Sequence, residues 1–172
     1  MNETPSPDQA EGSSQTKRHA IIGLMVALAM LVADQVIKVT VEAELPFQQP
    51  LEVLPFFAMY YTFNTGVAFS FMNNLSPFAL LLIAGTVVLI MLYLWWQARH
   101  DGLLPAIGFG MIFGGAIGNI IDRALYGHVI DYVLLHWDDW SFAIFNLADA
   151  ALTVGVALII FANLFVAPKD DS

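Results

Sequence analysis

The chain has 172 residues, 58% of them hydrophobic and 12% charged, with a formal net charge of −9. That apolar share exceeds the roughly 45–50% usual for soluble domains, so the placement of the apolar residues decides the class. The acidic balance argues against a nucleic-acid partner, and the absence of cysteine excludes disulfides, thiol nucleophiles and thiolate metal sites.

Residues 1–17 are polar and lack an apolar run, which predicts a disordered tail on the cytoplasmic side. Lys17 and Arg18 precede an apolar stretch in the manner of a signal peptide, but Asp34 and Lys38 near its end fit a retained helix better. A spanning helix needs about 20 apolar residues. Four segments qualify, at about 20–41, 75–97, 103–122 and 142–167, making residues 18–167 one membrane domain with a short tail at 168–172.

Lys17, Arg18, Arg99 and Lys169 fall on one side of a four-span chain, which predicts that both termini are cytoplasmic. Two segments then face outward. In residues 42–74, Pro46, Pro50 and Pro55 oppose a long helix, and Phe56 to Phe71 has the aromatic and β-branched content of short strands. Residues 123–141 read as a loop with an interfacial helix or a strand. The expected fold is therefore an all-α membrane protein: a four-transmembrane-helix bundle with a small extracytoplasmic β-rich element and an extracytoplasmic loop or helix.

Ionisable groups within spans are costly and read by default as functional. Placed by depth, they converge. Asp34 and Lys38 share a face in the outer half of helix 1. Asn119, Asp122 and Arg123 share a face at the outer end of helix 3, and Asn146 and Asp149 lie near the outer start of helix 4. Asp131 falls in the outer loop between the last two helices. Asp34 with Lys38, or Asp122 with Arg123, are as well read as structural ion pairs. Asp131 and Asp149 have no cation near them in sequence, and a short Asp can scarcely snorkel. Gly110, Gly114 and Gly118 recur every four residues, a pattern that suits tight helix packing or a face for a foreign helix. His128 and His136 read as solvated or interfacial, since no metal-ligand spacing accompanies them. Intramembrane carboxylates also serve proton-coupled transporters, and a glycine face also serves non-catalytic assembly proteins. Those two classes stand as alternatives to a peptidase.

Five blocks, in order, resemble lipoprotein signal peptidase, the signal peptidase II family, over about residues 18–166. They are Asp34-Gln-Val-Ile-Lys38, Asn64-Thr-Gly-Val-Ala-Phe69, Gly114 through Asp122-Arg123, Gly127-His-Val-Ile-Asp131 and Phe145-Asn-Leu-Ala-Asp149. Val67 departs slightly from the second block, where Ala is expected. The resemblance implies a bacterial inner-membrane aspartic endopeptidase, multi-pass, with its site near the outer face. It implies that Asp131 and Asp149 are catalytic, and that Asn64, Asn119 and Arg123 hold the site and the substrate. Asp34, Lys38 and Asp122 are expected to brace the site, Asn146 to orient Asp149 or bind substrate backbone, and Gly66 and Gly127 to serve as turns. The implied substrate is a diacylglyceryl-modified prolipoprotein, cut before the lipidated cysteine. No cofactor and no metal are expected, the other partner is membrane lipid, and the chain is expected to act as a monomer.

Overall fold

The computed structural model describes residues 7–66, 77–138 and 140–166. Helix α1 runs Pro7–Glu44, strand β1 Leu51–Leu54, β2 Phe57–Asn64, α2 Pro77–Ala98, α3 Leu103–Tyr126, β3 Val129–Trp137, β4 Trp140–Phe145 and α4 Leu147–Phe165. All four helices are long and apolar enough to cross a bilayer.

Helix α3 is the centre of the bundle, packed between α1 and α4. Its glycines set those distances. A Cβ at Gly114 would lie 2.5 Å from the Ala27 carbonyl oxygen of α1, and one at Gly115 would lie 2.5 Å from the Ala148 oxygen of α4. The Gly110–Gly114–Gly118 face is thus taken by the chain's own first helix, which is the tight-packing reading and leaves a foreign helix no place there. Pro105 falls in the first turn of α3, where a missing N–H costs little. Helix α2 packs chiefly on α3 and turns most of its apolar surface outward.

The bundle carries one antiparallel sheet in the order β1-β2-β3-β4. Tyr61, Ile130 and Tyr132 of the sheet close on Val41 of α1 in a small buried core. The all-α expectation is corrected accordingly: the protein is a helical bundle with a four-stranded sheet. Residues 129–137 form a strand, one of the two elements left open for that segment, and not the loop or helix written into the expected fold. The predicted fourth helix began at 142, but Trp140–Phe145 is β4, and α4 starts at Leu147. An apolar run of six residues suits either element, and pairing with β3 decides it here. Helix α1 also reaches further than expected, to Pro7, where a disordered tail was predicted. Proline is suited to a first helical position, and the Thr16 hydroxyl donates back to the Gly12 carbonyl at 3.0 Å. Val67 to Phe69 of the second block, and Lys169, lie outside the described residues.

Candidate active site

Helices α1, α3 and α4 and strands β2 and β3 bring the polar residues together at one end of the bundle. Lys38 is fully buried and spends all three ammonium protons. It meets Asp34 Oδ2 and Asp122 Oδ2, each at 2.7 Å, and donates to Asn119 Oδ1 at 3.0 Å. Asp122 therefore pairs with Lys38 across the bundle, and Arg123, the alternative partner, instead donates to the Asn119 carbonyl at 3.5 Å. Gln35 joins α1 to α3 by donating to Asp122 Oδ1 at 3.0 Å. Asp34 has a second duty: its Oδ1 accepts the backbone N–H of Ala148, at 3.1 Å, in the first turn of α4. A negative carboxylate at a helix N-terminus is favourably placed against the helix dipole.

Asn146 is the hub of the second group. It is the N-cap of α4, not a residue within it. Its side-chain oxygen accepts the Asp149 N–H at 2.9 Å, and the Asp149 carboxylate accepts the Asn146 N–H at 3.3 Å, a reciprocal capping box. The same amide donates to Asp131 Oδ1 at 2.7 Å, so one side chain touches both aspartates. Asn64, at the end of β2, donates to Asp131 Oδ2 at 2.8 Å. Asn119 donates to Asp149 Oδ1 at 2.9 Å while accepting from Lys38. Among the described residues neither Asp131 nor Asp149 forms an ion pair. Burial pushes the Asp131 carboxyl up to about 6; the amide of Asn64 pulls against that rise, and the charge of nearby Asp149 adds to it.

Asp131 lies on β3, opposite Thr62 of β2, rather than on a mobile loop. The strand fixes its side chain toward the bundle. Gly66 (φ 101°) and Gly127 (φ 77°) hold the left-handed conformations that turns demand. The Gly127 N–H caps α3 on the Arg123 carbonyl at 3.1 Å and releases the chain into β3. Each predicted site residue thus lies in or beside this cluster. His128 stacks on Phe63, and His136 meets Glu52 at 3.0 Å, both away from it. Among the described residues no group of three His, Asp or Glu is arranged to hold a metal.

Two residues with a part in the site were not predicted. Gln35 stands inside the first sequence block, and its amide in an apolar helix was a usable signal. Tyr132 has its hydroxyl accept the Leu147 N–H at 3.0 Å, which satisfies another donor of the first turn of α4. Burial holds its phenol up to about 12, so it stays neutral. Nothing in the local sequence marks that contact, because it joins a strand to a helix 15 residues away.

A polytopic bundle with buried carboxylates and amides gathered at one end is a membrane protein with an enzyme-like site. Comparison with known proteins gives the family. The family described as signal peptidase (SPase) II matches residues 26–165. A lipoprotein signal peptidase of Mesorhizobium japonicum is 49% identical over 148 residues, covering 86% of this chain and 88% of its own. One from Brucella ovis is 45% identical over 145 residues, covering 84% and 91%. A solved bacterial membrane enzyme, determined by the in meso method at 1.9 Å, superposes with a TM-score of 0.74 at 30% identity, over 85% of this chain and 94% of that one. The chain belongs to the signal peptidase II family and is a membrane protease, which decides against the transporter and assembly alternatives.

Proposed function

We propose that Asp131 and Asp149 form the catalytic pair of an aspartic endopeptidase that removes the signal peptide from diacylglyceryl-modified prolipoproteins. The observation that carries this reading is Asn146, whose side-chain amide donates to the Asp131 carboxylate and whose backbone N–H donates to the Asp149 carboxylate, where neither acid forms a direct ion pair among the described residues. Peptide hydrolysis needs a proton taken from water and a proton given to the leaving nitrogen. A carboxylate beside a carboxylic acid supplies both. Water adds to the scissile carbonyl carbon as the ionised Asp accepts its proton. The protonated partner hydrogen-bonds the carbonyl oxygen and then protonates the amine as the C–N bond breaks. The two aspartates titrate as one unit, so the proton belongs to the pair.

Asn64 and Asn119 keep the carboxylates aimed, and Asp34, Lys38 and Asp122 anchor the helices from which they project. The basic residues Lys17, Arg18 and Arg99 favour cytoplasmic termini, which sets the site at the outer face. There a signal helix would end and the lipid of its cysteine would lie. The chain acts as a monomer in this reading, since all five site elements come from one copy.

The test uses the detergent-purified chain with a diacylglyceryl-modified prolipoprotein. Asp131→Asn and Asp149→Asn are each expected to lose at least about 100-fold in cleavage rate. Full activity in either would remove that residue from the chemistry. Equal cleavage of an unlipidated precursor would instead end the lipid requirement.

A further inference from the structure

The opposite end of the bundle holds a feature that the peptidase reading does not use. Helices α1 and α2 stand apart over α3 and leave an apolar groove of about 490 Å³. Ile21 and Ala27 form one wall, Leu92 and Trp95 the other, and Phe109 and Phe113 the floor. Its depth is informative. Along α3 it runs from Ala106 to Ile117, about 17 Å at 1.5 Å per residue. A hydrocarbon core is about 30 Å thick, so the groove spans one leaflet.

The groove opens at the basic end. Lys17 and Arg18 are exposed one turn before Ile21, and Arg99 follows Trp95 by one turn, held over the Trp96 ring at 4.2 Å. The Thr16 hydroxyl lies 2.9 Å from His100 Nδ1, which ties the start of α1 to the α2–α3 turn and so sets the three cations at the same end of the groove. Asp101 in that turn and Glu11, less than two turns before Lys17 on α1, are acids at this end; against Lys17, Arg18 and Arg99 they leave it net positive, in a chain whose formal charge is −9.

We infer that this groove is a binding site for an anionic phospholipid of the leaflet at the basic end, with an acyl chain between α1 and α2 and the phosphate on Lys17, Arg18 and Arg99. The occupant follows from three features together: apolar walls, one-leaflet depth and a cationic mouth. Such charges attract anionic headgroups by about 1 kcal/mol each, roughly fivefold in affinity. The inference does not depend on the catalytic pair.

The test exploits Trp95 in the groove wall. In a chain with Trp96, Trp137 and Trp140 changed to Phe, reconstituted in bilayers, quenching of Trp95 is compared for brominated phosphatidylglycerol and brominated phosphatidylcholine. At low salt the anionic lipid is expected to show a relative association constant of about five or more. That preference should fall to about one in the Lys17→Gln/Arg18→Gln/Arg99→Gln variant. Ala27→Phe, which fills the groove, should reduce quenching by both lipids while leaving peptidase activity unchanged. Equal quenching by the two lipids in the unaltered groove would overturn the inference. So would disulfide-linked dimers of an Ala27→Cys chain in bilayers, which would mean that a second copy covers the groove; with no native cysteine, any such link is unambiguous.

Discussion

Two pairs of aspartates occupy one end of this bundle and differ chiefly in their partners. Asp34, Asp122 and Asp131 are 0%, 1% and 2% exposed and Asp149 is half-buried, so burial does not separate Asp131 from the first pair. Asp34 and Asp122 share the ammonium of Lys38, which locks α1 to α3. Asp131 and Asp149 meet amides instead. An amide hydrogen bond favours the ionised form by about 1.5–3 kcal/mol but adds no countercharge. A group so held is oriented, yet still free to take a proton. The contrast separates acids that build the site from acids suited to chemistry in it.

The strongest way to break that comparison is Lys38→Met. It leaves two buried carboxylates without a cation and is expected to cost about 3–5 kcal/mol, read as a lowered unfolding midpoint in detergent. Asp131→Asn should cost far less. Equal losses would mean that the two pairs carry the fold alike. Asn64→Ala sharpens the comparison from the other side. One aspartate of the proposed pair must be ionised to act as a base, and burial pushes Asp131 up to about 6, so cleavage is expected to fall as pH drops through about 6, well above the usual carboxylate range. Removing the Asn64 donor destabilises the carboxylate and should move this acid limb upward by about one unit. An unmoved limb in the pH profile of kcat/KM would detach Asn64 from the titration. The smallest effect is expected at Gly127→Ala. No heavy atom lies within 4 Å of the added Cβ, so only the left-handed backbone is penalised, by about 1 kcal/mol in thermal stability. A larger loss of activity than of stability would show that this turn aims Asp131.

Much of this was legible in the sequence because a bilayer simplifies the problem. Uninterrupted apolar runs give helices, and a charge inside a run has few places to go. Depth alone gathered Asp34, Lys38, Asn119, Asp122, Asn146 and Asp149. What escaped were features settled by pairing across the chain. Trp140–Phe145 looks like the start of a helix because an apolar strand and an apolar helical turn have the same composition. Asn146 three residues before Asp149 was the available signal for the true start of α4. Asp131 was expected on a loop because β3 has no period of its own; the strand exists through β2 and β4. Tyr132 and the Ala148 N–H became part of the site only once α4 docked.

The Asp34–Lys38 pair is made within one helix, four residues apart, and this has a consequence for how the chain is made. The first helix enters the bilayer with its own counterion and exposes no lone charge to hydrocarbon. Asp122 comes later, on α3, to an ammonium already in place. Asp149 comes last, on α4, to the amide of Asn119 and beside the amide of Asn146 that caps its own helix. Synthesis from the N-terminus therefore presents each acid to the membrane after its partner has arrived or together with it. The order of residues along the chain is also an order of safe insertion.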